Sequence, residues 1–124
     1  MSKRLLFLVV VLALASMPLV AQTVTDVRIV ARPRVYNGPC PATIQFTATI
    51  FVSRHPVAVE YQWERSDGAK SPRRRVVIRA AGQGFRESWT LGRGRQRLQI
   101  WERLRVLAPT GITSPEQVVR VNCR

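Results

Sequence analysis

The stretch ATIQFTATIF, residues 42 to 51, alternates apolar and polar side chains from Ala42 to Ile50. Ile44, Phe46, Ala48 and Ile50 fall on one side of an extended chain, and Thr43, Gln45, Thr47 and Thr49 on the other. A period of two is the signature of a half-buried β-strand, with one face on a core and the other in water. The same period recurs in VAVEYQWER (57 to 65), where Val57, Val59, Tyr61 and Trp63 alternate with Ala58, Glu60, Gln62 and Glu64. Phe46, Tyr61 and Trp63 are therefore predicted core residues.

Five further segments read as strands: 24–31, 74–80, 85–91, 98–107 and 116–123. Turn signals separate them at Asn37-Gly38-Pro39, His55-Pro56, Ser66-Asp67-Gly68, Gly82-Gln83-Gly84, Gly92-Arg93-Gly94 and Pro109-Thr110-Gly111. About seven short strands punctuated in this way predict an all-β sandwich. Only RQRLQIWERLRVL competes as a helix, because long charged side chains suit one. Its alternation of Leu98, Ile100, Leu104 and Val106 fits a strand better, with Glu102 as the exception.

Ahead of these strands, Lys3 and Arg4 precede the apolar run LLFLVVVLALASMPLVA. This is the layout of a secretory signal peptide, with Leu19-Val20-Ala21 before a cut that leaves Gln22 first. A cut after Ala13-Leu14-Ala15 is an alternative, as is an uncleaved anchor, although the run is short against the roughly 20 residues a bilayer core needs. The expected division is a leader over 1–21 and one domain over 22–124. No later segment is long and apolar enough to span a membrane. Export to the periplasm or beyond would place Cys40 and Cys123 in an oxidising compartment, where such a pair forms a bridge. Two free buried thiols are the alternative.

The 124-residue chain carries 20 basic and 7 acidic residues, a formal charge of +13. Without Lys3 and Arg4 the balance is +11, and almost all the bases are arginine. A field of this size attracts polyanions: acidic polysaccharide, anionic envelope lipid or nucleic acid, of which the last is the less natural partner after export. Compositional bias would produce the same excess.

The strings YNGPCPATIQFTATI, VEYQWERSDGA, SWTLG, WERLRVLAP and VRVNC, in that order from Tyr36 to Cys123, resemble a bacterial secreted module of unknown function. Its fold is an immunoglobulin-like, fibronectin-III-like β-sandwich. The resemblance implies an immunoglobulin-like architecture, a Cys40–Cys123 disulfide and Trp63 as the core tryptophan of the third strand. It attaches no catalytic activity. The second cysteine on the last strand departs from antibody domains, where the bridge joins the second and sixth strands.

No constellation supports chemistry. His55 is the only histidine and has no cue for a nucleophile or an orienting group beside it. Glu60 and Glu64 lie about 13 Å apart along a strand, too far for a glycosidase pair. One histidine and two oxidised cysteines leave no metal ligand set, and no cofactor motif is present. The segments GQGF and GRGR lack the strand-loop-helix setting of a phosphate cradle and read as hairpin turns.

Arginines carry the remaining signal. Arg73, Arg74 and Arg75 form one basic loop and Arg93, Arg95 and Arg97 another, neither with an evident acidic partner, and together they are the candidate anion-binding surface. Trp101, Arg103 and Arg105 share a strand face and are a candidate interaction face, in which the tryptophan stacks and the guanidinium groups hold an anion. The competing reading pairs Arg103 and Arg105 across strands with Glu60 and Glu64, with Trp101 packed on their stems. The expected function is that of a secreted, non-catalytic binding module for an acidic partner. The alternative is a protein-docking or adhesion module that uses a sheet edge or the Trp101 face.

Overall fold

The computed structural model describes residues 23–124, so the expected leader lies outside the described residues. The regular elements are all strands: β1 (Val24–Arg32), β2 (Val35–Gly38), β3 (Ala42–Val52), β4 (Val57–Arg65), β5 (Arg74–Ile78), β6 (Gly82–Leu91), β7 (Arg97–Ala108), β8 (Ile112–Thr113) and β9 (Gln117–Cys123). They build two sheets, one in the order β1-β3-β6 and one in the order β2-β9-β7-β4-β5, with β8 added beside β7. The protein is an all-β, immunoglobulin-like sandwich. Among the described residues no helix is long and apolar enough to cross a membrane.

Alternation sets the two inner faces. Ile44, Phe46, Ala48 and Ile50 of β3 are fully buried, and Val59, Tyr61 and Trp63 of β4 meet them from the other sheet. The rings of Tyr61 and Phe85 approach to 4.8 Å between centroids and so join β4 to β6 across the core. Ile100, Leu104 and Val106 of β7 and Val119 and Val121 of β9 complete the layer. Burying a side chain as large as Phe46 stabilises the fold by about 1.5–3 kcal/mol relative to leaving it in water.

Two short strands go beyond the seven that alternation predicts. β2 lies parallel to β9, Val35 opposite Arg120 and Gly38 opposite Cys123, and β8 pairs with β7 through Ile112 and Thr113. Asn37 and Gly38, read as a turn, are the end of β2.

Both glycine-rich segments depart from the hairpin reading. Gly82, Gln83 and Gly84 are the first residues of β6, paired in register with Phe51, Ile50 and Thr49. A Cβ on Gly82 would lie 3.0 Å from the Phe51 ring, so the missing side chain makes room for the aromatic residue opposite. The Gly92–Gln96 connection leads from β6 in one sheet to β7 in the other, and is a corner of the sandwich.

At that corner Cys40 and Cys123 form the disulfide, with Cα atoms 5.4 Å apart and a sequence separation of 83. Closing a loop of this length stabilises the fold by about 4–5 kcal/mol in the chain-entropy account. Gly92 packs on the bridge at φ 92°, and a Cβ there would come within 2.8 Å of Cys123 Sγ and 2.9 Å of Cys40 Sγ. Glycine is required at this position by conformation and by space.

Candidate anion-binding site

Arginine exceeds carboxylate so strongly that the position of each acid decides which arginines stay free to bind anything else. All seven acidic residues lie within the described chain, and most of them gather around β4 and β7. Glu64 accepts from Arg103 at 3.3 Å and lies 3.7 Å from Lys70. Glu116 takes the other end of Arg103, also at 3.3 Å. Arg65 reaches Glu102 at 2.6 Å and Glu87 at 3.4 Å.

The loop of Arg73, Arg74 and Arg75 therefore corrects the expectation that it lacks acidic neighbours. Arg73 sits 3.9 Å from Glu60, and Arg75 is the cross-strand partner of Glu60. Arg74 stands opposite Tyr61 on the inward-facing side, where its charge acts on Glu87. What reads as a run of three solvated cations is spread over two faces of an edge strand.

Arg93, Arg95 and Arg97 are held differently. Gln96 fixes their loop: its side-chain oxygen accepts from the Arg93 amide at 3.0 Å, its own amide donates to Arg93 O at 3.2 Å, and its carbonyl accepts from the Cys123 amide at 2.8 Å. The loop is thereby tied to the disulfide, and Arg93, Arg95 and Arg97 are all exposed. The structure adds two residues that the sequence did not single out. Arg120 lies opposite Gln99 on β9 and lines a recess of about 180 Å³ with Arg97, Gln99 and Asn122. Arg124 follows Cys123 and donates its amide to Gly38 O at 2.9 Å. Among the described residues none of these five arginines makes an ion pair.

The two predicted loops are not one surface. Arg74 stands opposite Tyr61, which pairs with Val106, and Arg97 lies at the other end of β7, about 30 Å away at the rise of a strand.

The ladder on β7 divides. Arg103 pairs with Glu64 across the strands as the competing reading expects, and its guanidinium lies 5.0 Å from the centre of the Trp101 ring. Arg105 does not follow: the register that sets Glu64 opposite Arg103 sets Gln62 opposite Arg105, and Glu60, opposite Ala108, pairs with Arg73 instead. Trp101 borders a recess of about 310 Å³ with Arg103, Lys70 and the Ser66–Ala69 turn.

Glu102, the residue that broke the alternation, is fully buried on the inner face. Its partner Arg65 continues the inward series Val59, Tyr61, Trp63, and stacks over Trp89 at 4.7 Å. Oε2 of Glu102 and Oε2 of Glu87 are buried without a hydrogen bond. Burial pushes the Glu102 carboxyl up to about 7 against the opposing Arg65 hydrogen bond, and the nearby Glu87 charge pushes the same way as burial. Burial also raises Glu87, while Arg65 and Arg74 draw it down. A sequence cue existed: carrying the alternation of β4 one step past Trp63 places Arg65 inward, beside the one acid of β7.

Among the described residues no three His, Cys, Asp or Glu side chains come together as a metal site. His55 is exposed in the connection between β3 and β4.

With strand order and disulfide in place, the fold class is that of the immunoglobulin-like β-sandwiches. A solved structure of the same kind is the CARDB domain of a Pyrococcus furiosus protein, determined in complex with di-metal ions. It superimposes with a TM-score of 0.61 at 12% identity, covering 82% of this chain and 96% of that one. At this identity the likeness establishes the fold alone. No family model matches the sequence, and no curated protein matches it.

Proposed function

We propose that the protein is an exported, non-catalytic binding module that takes an acidic partner at the pole carrying the disulfide. Arg93, Arg95 and Arg97 provide the charge, with Arg120 and Arg124 beside them. The observation that carries this reading is the contrast in pairing: these five arginines are exposed and unpaired, on a backbone held by Gln96 and the Cys40–Cys123 bridge. A guanidinium group on a fixed scaffold loses less freedom when it binds a carboxylate, sulfate or phosphate. The Arg73–Arg75 loop takes a minor part, because Arg73 pairs with Glu60 and Arg74 and Arg75, though exposed and, among the described residues, without an ion pair, stand on opposite faces of β5 with Glu87 and Glu60 nearby.

The test compares two triple replacements that remove equal charge. Binding of an acidic polysaccharide at physiological salt is expected to fall about tenfold or more in R93S/R95S/R97S and about twofold in R73S/R74S/R75S. Equal losses would reduce the effect to net charge and overturn the site.

A second reading rests on the half-exposed Trp101 and the recess beside it, which suit a docked protein. In that case Trp101→Ala abolishes a pull-down that survives raised salt.

A further inference from the structure

The outer face of the three-stranded sheet carries a second arrangement of unpaired arginine, on strands that the reading above does not use. Its side chains stand in rows across β1, β3 and β6: Arg28–Thr49–Gly84, Val30–Thr47–Arg86 and Arg32–Gln45–Ser88, followed by Thr43–Thr90. The outermost rows are satisfied internally. Arg28 pairs with Asp26 at 2.9 Å and lies 5.1 Å from the centre of the Phe51 ring, and the hydroxyls of Thr43 and Thr90 bond each other at 2.9 Å.

The two middle rows differ. Among the described residues Arg32 and Arg86 have no ion pair, and the Gln45 amide and Thr47 hydroxyl make no hydrogen bond to protein. These four residues and Val30 line a single open recess of about 260 Å³. Arg32 and Arg86 stand on opposite sides of the central strand, offset by two residues along it, their backbones about 12 Å apart at strand spacing and rise, so both guanidinium groups can close on a group resting over Gln45 and Thr47.

The geometry points to an oxyanion clamp for an acidic polysaccharide. The sulfate or carboxylate of one sugar sits between Arg32 and Arg86, Thr47 and Gln45 hydrogen-bond to it and to neighbouring hydroxyls, and Val30 meets an apolar pyranose face. Two forked donors converging on one anion provide the charge-assisted contacts, and a flat row of hydroxyl and amide groups matches a hydroxyl-rich chain. The recess has no aromatic residue on which a nucleobase could stack, and no cluster of large apolar side chains to enter a lipid interface.

The experiment titrates the protein with sulfated dextran and with a polyuronate at physiological salt, with neutral dextran as blank and duplex DNA as competitor. R32S/R86S is expected to weaken binding of the preferred polymer about tenfold, while R54S/R79S, which removes the same charge from exposed sites elsewhere, changes it about twofold or less. Q45A/T47A, which leaves the charge unchanged, is expected to weaken it about threefold. Equal losses in the two arginine pairs, binding to neither polymer, or tighter binding to DNA would overturn the clamp. R93S/R95S/R97S separates the two sites. If only that variant loses binding, the clamp fails and the disulfide pole stands. If only R32S/R86S does, the clamp stands and the pole fails.

Discussion

Two groups of arginines in this sandwich carry the same charge in opposite surroundings. Around β4 and β7, Arg65 and Arg103 are enclosed by Glu87, Glu102, Glu64 and Glu116, and their side chains are part of how the two sheets and the neighbouring strands hold together. At the disulfide pole Arg93, Arg95 and Arg97 point into solvent from a loop whose backbone is fixed by other groups. The difference lies in the supply of carboxylates: where an acid stands opposite, the arginine is tied into the structure, and where none does, its charge is left in solvent. A count of charges along the chain does not separate the two.

The contrast is broken most sharply at Arg65. Above the Glu102 pKa, removing it strands the buried Glu102 and Glu87 without their cation, and Arg65→Ala is expected to cost about 3 kcal/mol or more of unfolding free energy, read from urea denaturation at about pH 8, where Glu102 is ionised. A cost below about 1 kcal/mol would mean that the inner carboxylates are already neutral or solvated and that the pairing is incidental.

The next effect is pH dependence. Glu102 has a folded pKa of about 7 against an ordinary value of 4.5, so between these limits the folded state holds a proton that the unfolded state has released. Its contribution is fully present below pH 4.5 and is lost as the pH rises to about 7, by up to about 3 kcal/mol. Glu102→Gln keeps a neutral side chain of the same shape and is expected to remove that slope. Denaturation of the two proteins at pH 4.5, 5.5 and 7 should show the wild type falling relative to the variant. Parallel curves would contradict a raised carboxyl.

The smallest effect belongs to the pole. R93S/R95S/R97S is expected to change stability by less than about 0.5 kcal/mol per residue, in either direction, because no internal partner is lost. A larger destabilisation would show that these arginines are structural after all, and would weaken the reading of the pole as a binding surface.

Legibility followed the range of the interaction. The strands at 42–51, 57–65 and 98–107 could be read because period-two alternation is written residue by residue. β2 could not, since among the described residues its only strand partner is β9, more than 80 positions away, and Asn37-Gly38 signals a turn just as strongly. Gly82 and Gly84 misled for a related reason: glycine marks a turn locally, and only the Phe51 ring opposite explains glycine within β6. The buried acid lay between these cases. Glu102 stood out as a break in the pattern, and its meaning depended on Arg65, Glu87 and Trp89 arriving from two other strands.

For the candidate sites the same limit was more severe. The two arginine runs were visible as runs, but not the carboxylates Glu60 and Glu87 that stand near the first of them. Arg86 and Arg120 had no signal, since each stands alone among residues of other kinds, and Arg32, with Arg34 two positions on, is not set apart by any motif. By itself the sequence determined the class of the fold, most of its strands, the inward residues Phe46, Tyr61 and Trp63, and a large positive charge, because alternation and composition are local properties. Strand order, register and the neighbours of each charge were decided by tertiary structure, since a salt bridge or an anion clamp is a matter of a few ångströms between residues tens of positions apart.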